Sequence, residues 1–481
     1  MKQLGFRERD SQLTCAMVMN RLIHPKSEHA MPHWIRSTAL EDLLDEDFSS
    51  LTDDRLYRHL DRIYPHRARI ETLLSERERD LFNLDQTVFF YDLTSTYFEG
   101  LARGNPKAKR GYSRDRRPDC LQVVVGLVIN RDGFPLCHEV FDGNTNDSKS
   151  LGPMLDALDR RIGLKAGQTV VVDRGMAFDS NLEELRERGL NYIVASRQPE
   201  RDKWLAEFSE SDDFEEVLRT PSPRNPSQKK SKVRIKMRKR DDGVYVLCFS
   251  EGRLEKDRAI REKKEKKLLL DLEKLSKRIS NGSLKEPGKI SQAVGRLLER
   301  YPRVAKYYNI DWDQKYKRLR IELDGNRLDR AQRLDGAYIL KSNRMDLSAE
   351  EVWRTYMLLT RAEAAFRDMK SPLAERPIFH QLEHRVDTHI FLCVIAYHIL
   401  ISIEKQLLDK GIHTSWATVR DTLATHQVST VVLPTSADAE LHIRQDSVPE
   451  ERHKELYRLL EVPKKIMKPV KTWVEIIKES D

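Results

Sequence analysis

Two short apolar runs that each end on an aspartate constrain the fold of this chain more than any other feature. The first is Thr87-Val-Phe-Phe-Tyr-Asp92 and the second is Thr169-Val-Val-Val-Asp173. Short runs rich in β-branched and aromatic residues are typical of buried strands. A stretch with leucines at helical spacing, 148–162, lies between them, and a further strand-like run follows at 192–196. Alternating strands and helices predict an α/β domain.

Changes in periodicity and composition divide the chain into five predicted regions. Residues 1–85 are predicted to be helical, and two short helices there could form either a DNA-binding helix-turn-helix or a plain helical hairpin. Residues 86–200 and 337–410 carry the α/β pattern in two parts. Between them, 201–336 is predicted to be a β-rich insertion with a long, charged helical arm. Residues 411–481 form a C-terminal region that could supply dimer or DNA contacts.

Composition and charge exclude several classes of protein. The 85 lysines and arginines exceed the 77 acids, and the sequence pI is about 9.0, which favours a polyanionic partner. The five cysteines are scattered and form no C-x-x-C pair, which indicates a reducing cytosol and argues against a zinc module. The longest apolar run, 389–403, is too short to span a bilayer, and the N-terminus lacks an apolar signal core. We therefore expect a soluble cytoplasmic protein with no membrane partner.

A glutamate occupies an unusual position on a late helix. Ser348 and Glu351 form a capping-box pattern that begins this predicted helix, and the helix is expected to continue to residue 370. Its predicted core-facing positions are Val352, Tyr356, Leu359, Glu363, Phe366 and Lys370. An ionised glutamate on an apolar stripe is costly unless it is paired, protonated or bound to a metal ion. Pairing of Glu363 with Lys370 is the simpler explanation, and metal binding is the other.

Asp92 and Asp173 join Glu363 in a set of three acids. Each aspartate is predicted at the carboxyl end of a strand, the edge where α/β sheets tend to place their chemistry. Carboxylates are hard oxygen ligands that suit Mg²⁺ or Mn²⁺. Two such ions about 4 Å apart can clamp an in-line phosphoryl displacement. A single aspartate after a strand is more often a helix cap, so this interpretation depends on all three acids together.

Four sequence motifs surround these acids. They are Tyr91-Asp-Leu-Thr-Ser-Thr-Tyr-Phe-Glu-Gly100, Gly143-Asn-Thr-Asn-Asp147, Val171-Val-Asp-Arg-Gly175 and Glu363-Ala-Ala-Phe-Arg-Asp-Met-Lys370. In this order and spacing they resemble the motifs of insertion-sequence transposases of the D-D-E class, in the IS-four superfamily. The resemblance covers roughly residues 82–405. It implies an RNase H-like catalytic core interrupted by a β-rich insertion domain, with helical N- and C-terminal regions.

The resemblance also implies roles for individual residues. Asp92, Asp173 and Glu363 would be the catalytic residues and would bind two Mg²⁺ (or Mn²⁺) ions. Tyr356 and Lys370 would hold the terminal phosphate of the transposon DNA. Leu359 stands where the family has a signature arginine. A different arginine, Arg361 or Arg354, could replace that phosphate contact.

Two groups of cations are candidate DNA contacts. One is a loop after the first acid that contains Arg103, Lys107, Lys109, Arg110, Arg114, Arg116 and Arg117. The other is a predicted strand whose one face alternates through Lys232, Arg234, Lys236 and Arg238. Arg174, directly after the second acid, is a further candidate. Alternatively, the loop is a solvated segment whose cations pair with scattered acids.

These observations predict a metal-dependent DNA transposase. It would cleave the ends of an insertion sequence and join the 3′-hydroxyl to target DNA. Its partners would be double-stranded DNA, as terminal inverted repeats and target, and a second copy of the chain, and it would associate with the nucleoid. One alternative is a catalytically inactive DNA-binding protein derived from a transposase. The other is a haloacid-dehalogenase-like phosphatase, although Thr94 stands where such enzymes carry a second acid.

Overall fold

A computed structural model describes residues 1–210, 213–219, 222, 224, 226–227, 230–313, 316, 318–436, 439–463 and 466–475. Contacts divide the chain into two compact units. The first comprises Met1–Asn191, the described part of Pro221–Gln228, and Met357–Asp481, and the second comprises Tyr192–Thr220 and Lys229–Tyr356. The second unit interrupts the first, but its bounds are wider than the predicted insertion of 201–336.

The N-terminal part of the first unit is helical. Its helices are α1 (Glu8–Ile23), α2 (Met31–Arg36), α3 (Leu40–Leu44), α4 (Asp53–Ile63) and α5 (Arg67–Phe82). Helix α4 buries Leu56, Leu60 and Ile63, as the periodicity predicts. The buried face of helix α5 carries the polar Glu71, Ser75 and Glu78, whereas the apolar Leu81 is 65% exposed.

Strands and helices alternate after α5, and all of them except the last strand, β5, form the α/β part of the first unit. The elements are β1 (Val88–Tyr97), β2 (Gln122–Ile129), β3 (Pro135–Asp142), α6 (Asp147–Ile162), β4 (Thr169–Val172), α7 (Asp179–Glu187) and β5 (Asn191–Ala195). The strand order in the first unit is β3-β2-β1-β4. Neighbours β1–β2 and β2–β3 are antiparallel, and β1–β4 is parallel. Helix α6 packs on β2 and β3, and α5 packs on α6 and β3.

The second unit combines an antiparallel sheet with a helical subdomain. Its elements beyond β5 are α8 (Leu205–Ser209), β6 (Glu215–Arg219), β7 (Ser231–Arg240), β8 (Gly243–Ser250), α9 (Glu251–Ser280), α10 (Pro287–Arg300), α11 (Pro302–Ala305), β9 (Tyr308–Asp313), β10 (Arg318–Leu323), α12 (Gly325–Arg333), β11 (Ala337–Ser342) and α13 (Ala349–Met357). The sheet order is β5-β11-β8-β7-β6. Because β11 pairs with both β5 and β8, the strand at 337–342 belongs with this unit and not with the core part predicted to begin at 337. Helix α9 is more than a solvated arm, since Leu268, Leu272 and Leu275 help form a separate core.

The predicted single helix ending at Lys370 is two helices. The capping box is present at its start, where Glu351 N–H donates to Ser348 Oγ at 3.2 Å and Ser348 N–H donates to the Glu351 carboxylate at 2.8 Å. Helix α13 ends at Met357, however, and α14 covers Thr360–Lys370. The intervening turn is closed by the shorter-range bonds from Arg361 N–H to Leu358 O and from Ala362 N–H to Leu359 O. The stripe predicted across this region therefore does not continue.

The first unit ends with one long helix and a small sheet. The elements are α15 (Glu383–Asp409), α16 (Trp416–Leu423), β12 (Val428–Pro434), β13 (Ala439–Asp446), α17 (Glu451–Leu459) and β14 (Val470–Glu475). Helix α15 is long and apolar enough to cross a membrane, so the argument that the apolar run is too short does not hold. In the structure, 72% of its most apolar window is buried, and it packs against α1, α4, α14 and β3 as a core helix. The mixed α/β class with helices at both ends is confirmed.

Candidate active site

The two aspartates lie side by side because of the register between β1 and β4. The parallel ladder pairs Tyr91 with Val172, and Asp92 and Asp173 each follow directly. The sequence predicts that Asp92 ends its strand, and this is wrong. Strand β1 continues beyond Asp92 in an antiparallel ladder with β2, which pairs Asp92 with Leu127. The Leu93 N–H donates to Asp92 Oδ1 at 2.7 Å and fixes that carboxylate.

Glu363 reaches the same place from α14, which packs against β1. It is exposed and does not lie on the buried stripe, which on this helix consists of Ala362, Ala365, Phe366, Met369 and Lys370. Asp92, Asp173 and Glu363 together line one open pocket of about 510 Å³, formed entirely by the first unit. The structure therefore brings together the three acids that the sequence singles out.

The electrostatics of the pocket favour a bound cation. Burial, together with the charges of Asp173 and Glu363, raises the pKa of Asp92 to about 7, against the opposing effects of the Leu93 N–H and Arg114. The acids are thus close enough to repel one another, and a cation would relieve that repulsion. Among the described residues, these three acids do not bring one oxygen each to within 4.8 Å of one another. All three donor groups are therefore carboxylates, and their oxygens are spread more widely than the ligands of a single ion.

Two cations paired with one aspartate flank the acids. Lys370 Nζ donates to the Ser95 carbonyl at 2.7 Å and to Asp115 Oδ1 at 2.9 Å, and Arg376 also pairs with Asp115. Lys370 therefore pairs with Asp115 and not with Glu363, which removes the simpler explanation of that glutamate. Lys370, Asp115 and Arg376 all line the pocket. Sequence reasoning assigned no role to Asp115, whose signal was an acid within a basic loop, or to Arg376, which had no signal.

A second pair at the pocket joins the basic loop to α6. Arg114 Nη2 donates to Asp147 Oδ1 at 2.7 Å, and both residues line the pocket. A Cβ on Gly175 would lie 2.4 Å from Asp147 Oδ2, so the glycine after Asp173-Arg leaves room for this carboxylate. Asp147 is the last residue of the motif Gly143-Asn-Thr-Asn-Asp147. The motif drew attention to this residue, but the sequence alone did not assign it a place in the site. Arg367, one turn after Glu363, also lines the pocket.

Several other predicted DNA contacts do not line this pocket. Arg110 and Arg174 are exposed, and Arg117 pairs with Glu99 and Asp119. Tyr356 is half-buried and lies in the second unit.

Neither arginine suggested as a substitute at the Leu359 position lines the pocket. Leu359 itself is 5% exposed. Arg361 donates to the Arg131 carbonyl, and Arg354 pairs with Glu350.

The predicted basic face of β7 is only partly exposed. Lys232 is exposed and pairs with Glu216, and Arg234 stacks on Phe249 at 4.7 Å. Lys236 is 3% exposed, because Glu207 of α8 at 3.2 Å and the ring of Phe214 cover its ammonium group. The prediction that Lys236 contacts DNA through an open strand face is therefore wrong.

Comparison with known proteins identifies the family of this chain. The model of the transposase DDE domain family matches residues 85–399, which is more than half of the chain. The chain therefore belongs to the DDE transposase family, and the matched region includes Asp92, Asp173 and Glu363.

Individual relatives are more distant. A protein described as a transposase for insertion sequence element IS402 of Burkholderia cepacia is 27% identical over 110 residues, which is 22% of this chain. The chain spans about half (51%) of the length of that relative. A cryo-EM structure of the piggyBac transposase synaptic complex with hairpin DNA matches over 86% of this chain and 70% of that chain, at 8% identity and a TM-score of 0.39. That likeness is too low to relate individual residues.

Proposed function

We propose that this chain cleaves the ends of an insertion sequence and joins the freed 3′-hydroxyl to target DNA. The observation that supports this most is the convergence of Asp92, Asp173 and Glu363, from two strands and a helix, on one pocket. Membership of a DDE transposase family supports the same activity. We infer an RNase H-like core, in which the strand order β3-β2-β1-β4 places the two aspartates together.

The three carboxylates would hold two divalent ions, Mg²⁺ or Mn²⁺. This fits the all-oxygen donor set and the raised pKa of Asp92, a carboxyl group that is costly to ionise without a nearby cation. When bound, such ions polarise a phosphoryl oxygen and lower the pKa of an attacking water or hydroxyl. The protein itself contributes the fixed positions of the ligands, through the β1–β4 register and the packing of α14 on β1.

The reaction has two displacements at phosphorus. In the first, water attacks a phosphodiester at the element end, loses a proton and displaces the 3′-oxygen, which leaves a 3′-hydroxyl and a 5′-phosphate. In the second, that hydroxyl attacks a phosphodiester of target DNA, loses its proton and displaces a new 3′-oxygen. The first displacement hydrolyses a phosphodiester, and the second exchanges one phosphodiester for another. Neither needs an oxidant or a nucleotide.

Cations around the pocket would position the DNA backbone. The group of Lys370, Arg376 and Asp115 carries a net charge of one positive unit at neutral pH when all three are ionised, and it faces the pocket. Arg114, which also lines the pocket, is held by Asp147. Arg116 of the same loop also lines the pocket, and the exposed Arg103 and Arg110 would follow the phosphates further out. Lys232 and Arg234 remain proposed contacts of the second unit.

The alternatives have less support. A decayed, DNA-binding copy is disfavoured by the presence of all three acids in one pocket. A haloacid-dehalogenase-like phosphatase is disfavoured because Thr94, which lines the pocket, supplies no second acid. We further infer a homodimer on DNA, which would hold two element ends together, and a cytoplasmic, nucleoid-associated location.

A cleavage assay tests the proposal. The substrate is duplex DNA with the sequences that flank the chain's own coding region, in the presence of Mg²⁺. We expect Asp173→Asn to bind this DNA as the wild type does and to lose strand cleavage. The matched control is Glu187→Gln, which removes an exposed acid of the neighbouring α7 and should cleave normally. Retained cleavage or strand transfer by Asp173→Asn would reject the proposed role.

A further inference from the structure

A buried cluster of one glutamate and two histidines lies outside the candidate active site. Glu28 sits between α1 and α2, His380 lies in the segment before α15, and His389 lies on α15. One donor atom from each of the three lies within 4.8 Å of the other two. The side chains are 3%, 9% and 4% exposed in that order, so the cluster is closed to bulk water. All three residues belong to the first unit.

The orientation of His389 points to a missing partner. Its Nε2 is 3.0 Å from the Glu375 carbonyl oxygen, so Nε2 must carry the proton and donate it. The other nitrogen, Nδ1, then carries a lone pair, is buried, and has no hydrogen-bond partner. A second proton on Nδ1 would create a buried charge with no acceptor, which is costly. The lone pair of Nδ1 is therefore a free ligand inside the protein.

This arrangement is typical of a metal-binding histidine. Such residues almost always donate the second ring N–H to a carboxylate or a backbone carbonyl, which fixes the tautomer and the ring orientation. Glu28 is held in a similar way, because Arg21 Nη2 donates to its Oε1 at 3.0 Å. Its Oε2 faces His380 Nε2 at 3.3 Å. Both the carboxylate and His389 thus have an outer partner that leaves another donor atom available to a ligand.

We propose that Glu28, His380 and His389 form a binding site for Zn²⁺, separate from the catalytic carboxylates. Two imidazoles and one carboxylate suit Zn²⁺ better than Mg²⁺ or Ca²⁺, which prefer oxygen ligands only. The guanidinium of Arg21 opposes a bound dication, so only an ion with strong affinity for imidazole is retained. No cysteine is needed, which is why the scattered cysteines gave no sign of this site.

The site would join parts of the first unit that are far apart in sequence. Zinc binding would tie the α1–α2 connection to α15 and to the segment before it. The backbone of Glu375 accepts from His389, and the Glu375 carboxylate accepts from Thr96 Oγ1 of β1, the strand that carries Asp92. The proposed ion is therefore structural and supports the strand beneath the candidate active site.

The experiment measures zinc binding in a background without catalytic metal affinity. Tag-free protein carrying Asp92→Asn and Asp173→Asn is loaded with ZnCl₂, separated from free metal, and analysed by mass spectrometry for zinc per chain. We expect one zinc ion per chain. A chain that carries no zinc after the free metal is removed would overturn the proposal.

A single substitution then locates the ion. His389→Gln keeps an amide N–H where Nε2 donates to Glu375 and deletes the Nδ1 lone pair. We expect its affinity for zinc, measured by competition with a chromophoric chelator, to fall at least about 100-fold, because loss of even an outer partner costs roughly 10–100-fold. Unchanged affinity would overturn the proposal.

Matched variants separate metal loss from misfolding. His398→Gln alters another buried histidine of α15, whose Nδ1 is 2.8 Å from Glu78 and which is not part of the cluster. It should bind zinc as its background does. If His389→Gln does not fold, His380→Gln serves instead, because its amide can still donate to Glu28 while the imidazole ligand is lost. Full zinc binding by folded His380→Gln would contradict the site.

Discussion

Replacing Asp92 by asparagine should stabilise the metal-free protein while abolishing cleavage. The asparagine keeps an oxygen to accept from the Leu93 N–H, which lies 2.7 Å from Oδ1. It removes a half-buried charge that Asp173 and Glu363 repel. The same substitution deletes a proposed metal ligand, so stability and activity should change in opposite directions.

The size of the gain follows from the pKa of Asp92. Its ordinary value is 3.8, and burial with the neighbouring acids raises it to about 7. At about 1.36 kcal/mol for each pKa unit, keeping Asp92 ionised costs the folded state roughly 4 kcal/mol. Partial contact with solvent screens some of this cost, so we expect asparagine to raise the free energy of unfolding by about 2–3 kcal/mol at pH 8.

The gain should depend on pH in a defined way. Because the pKa is higher in the folded state, the unfolded chain loses its proton first, and the wild type loses stability as the pH rises from about 4 to about 7. The advantage of Asp92→Asn is therefore small near pH 4, grows with pH, and is constant above about pH 7.

Urea unfolding in EDTA at several pH values from 5 to 8, followed by circular dichroism, measures this effect. Glu187→Gln is the control for removal of an exposed acid and should change stability by less than about 0.5 kcal/mol. A loss of stability in Asp92→Asn at pH 8, or a gain of the same size at every pH, would refute the reasoning. When Mn²⁺ replaces EDTA, the wild type should become the more stable of the two proteins, because the ion stabilises only the protein that binds it well.

Two further substitutions test the surroundings of the pocket, and a third tests a buried ion pair elsewhere in the first unit. Gly175→Ala places a Cβ 2.4 Å from Asp147 Oδ2, so cleavage of end DNA should fall at least about tenfold while DNA binding, measured by gel shift, stays normal. Asp115→Asn leaves the buried ammonium of Lys370 without its carboxylate and should lower the free energy of unfolding by about 3 kcal/mol, measured in urea. Glu71→Gln should cost about as much at pH 7. Burial opposes ionisation of Glu71, but His138 and Arg161 hold its pKa below the ordinary value, so this cost should shrink as the pH falls through that lowered pKa. An effect of Glu71→Gln that persists unchanged in acid, or full stability of Asp115→Asn, would contradict these assignments.

Local patterns predicted the parts of the fold that local forces determine. The runs before Asp92 and Asp173 are apolar enough to specify buried strands. The Ser348–Glu351 cap is a contact between residues three apart, so it is visible in sequence. Asp92 and Asp173 could be selected because each follows an apolar run, whereas Glu363 was selected from a predicted apolar stripe on which it does not lie.

Contacts between distant residues could not be predicted in this way. Lys370 and Asp115 are 255 positions apart, and nothing in either segment indicates that they pair. Glu71 and Glu78 lie on the buried face of α5 because His138 and His398 arrive from β3 and α15 to pair with them. Periodicity assigns such polar positions to solvent, because it contains no information on partners that come from elsewhere in the chain.

Iron-directed cleavage of the protein chain tests the central claim most directly. Fe²⁺ substitutes for Mg²⁺ at carboxylate sites, and with ascorbate and peroxide it generates radicals that cut the backbone nearest the ion. If Asp92, Asp173 and Glu363 hold the catalytic metal together, cuts should appear near all three residues, fade together when Mg²⁺ is added in excess, and disappear together in Asp173→Asn. Cuts near only one of the three, or the same pattern in Asp173→Asn as in the wild type, would contradict a shared metal site.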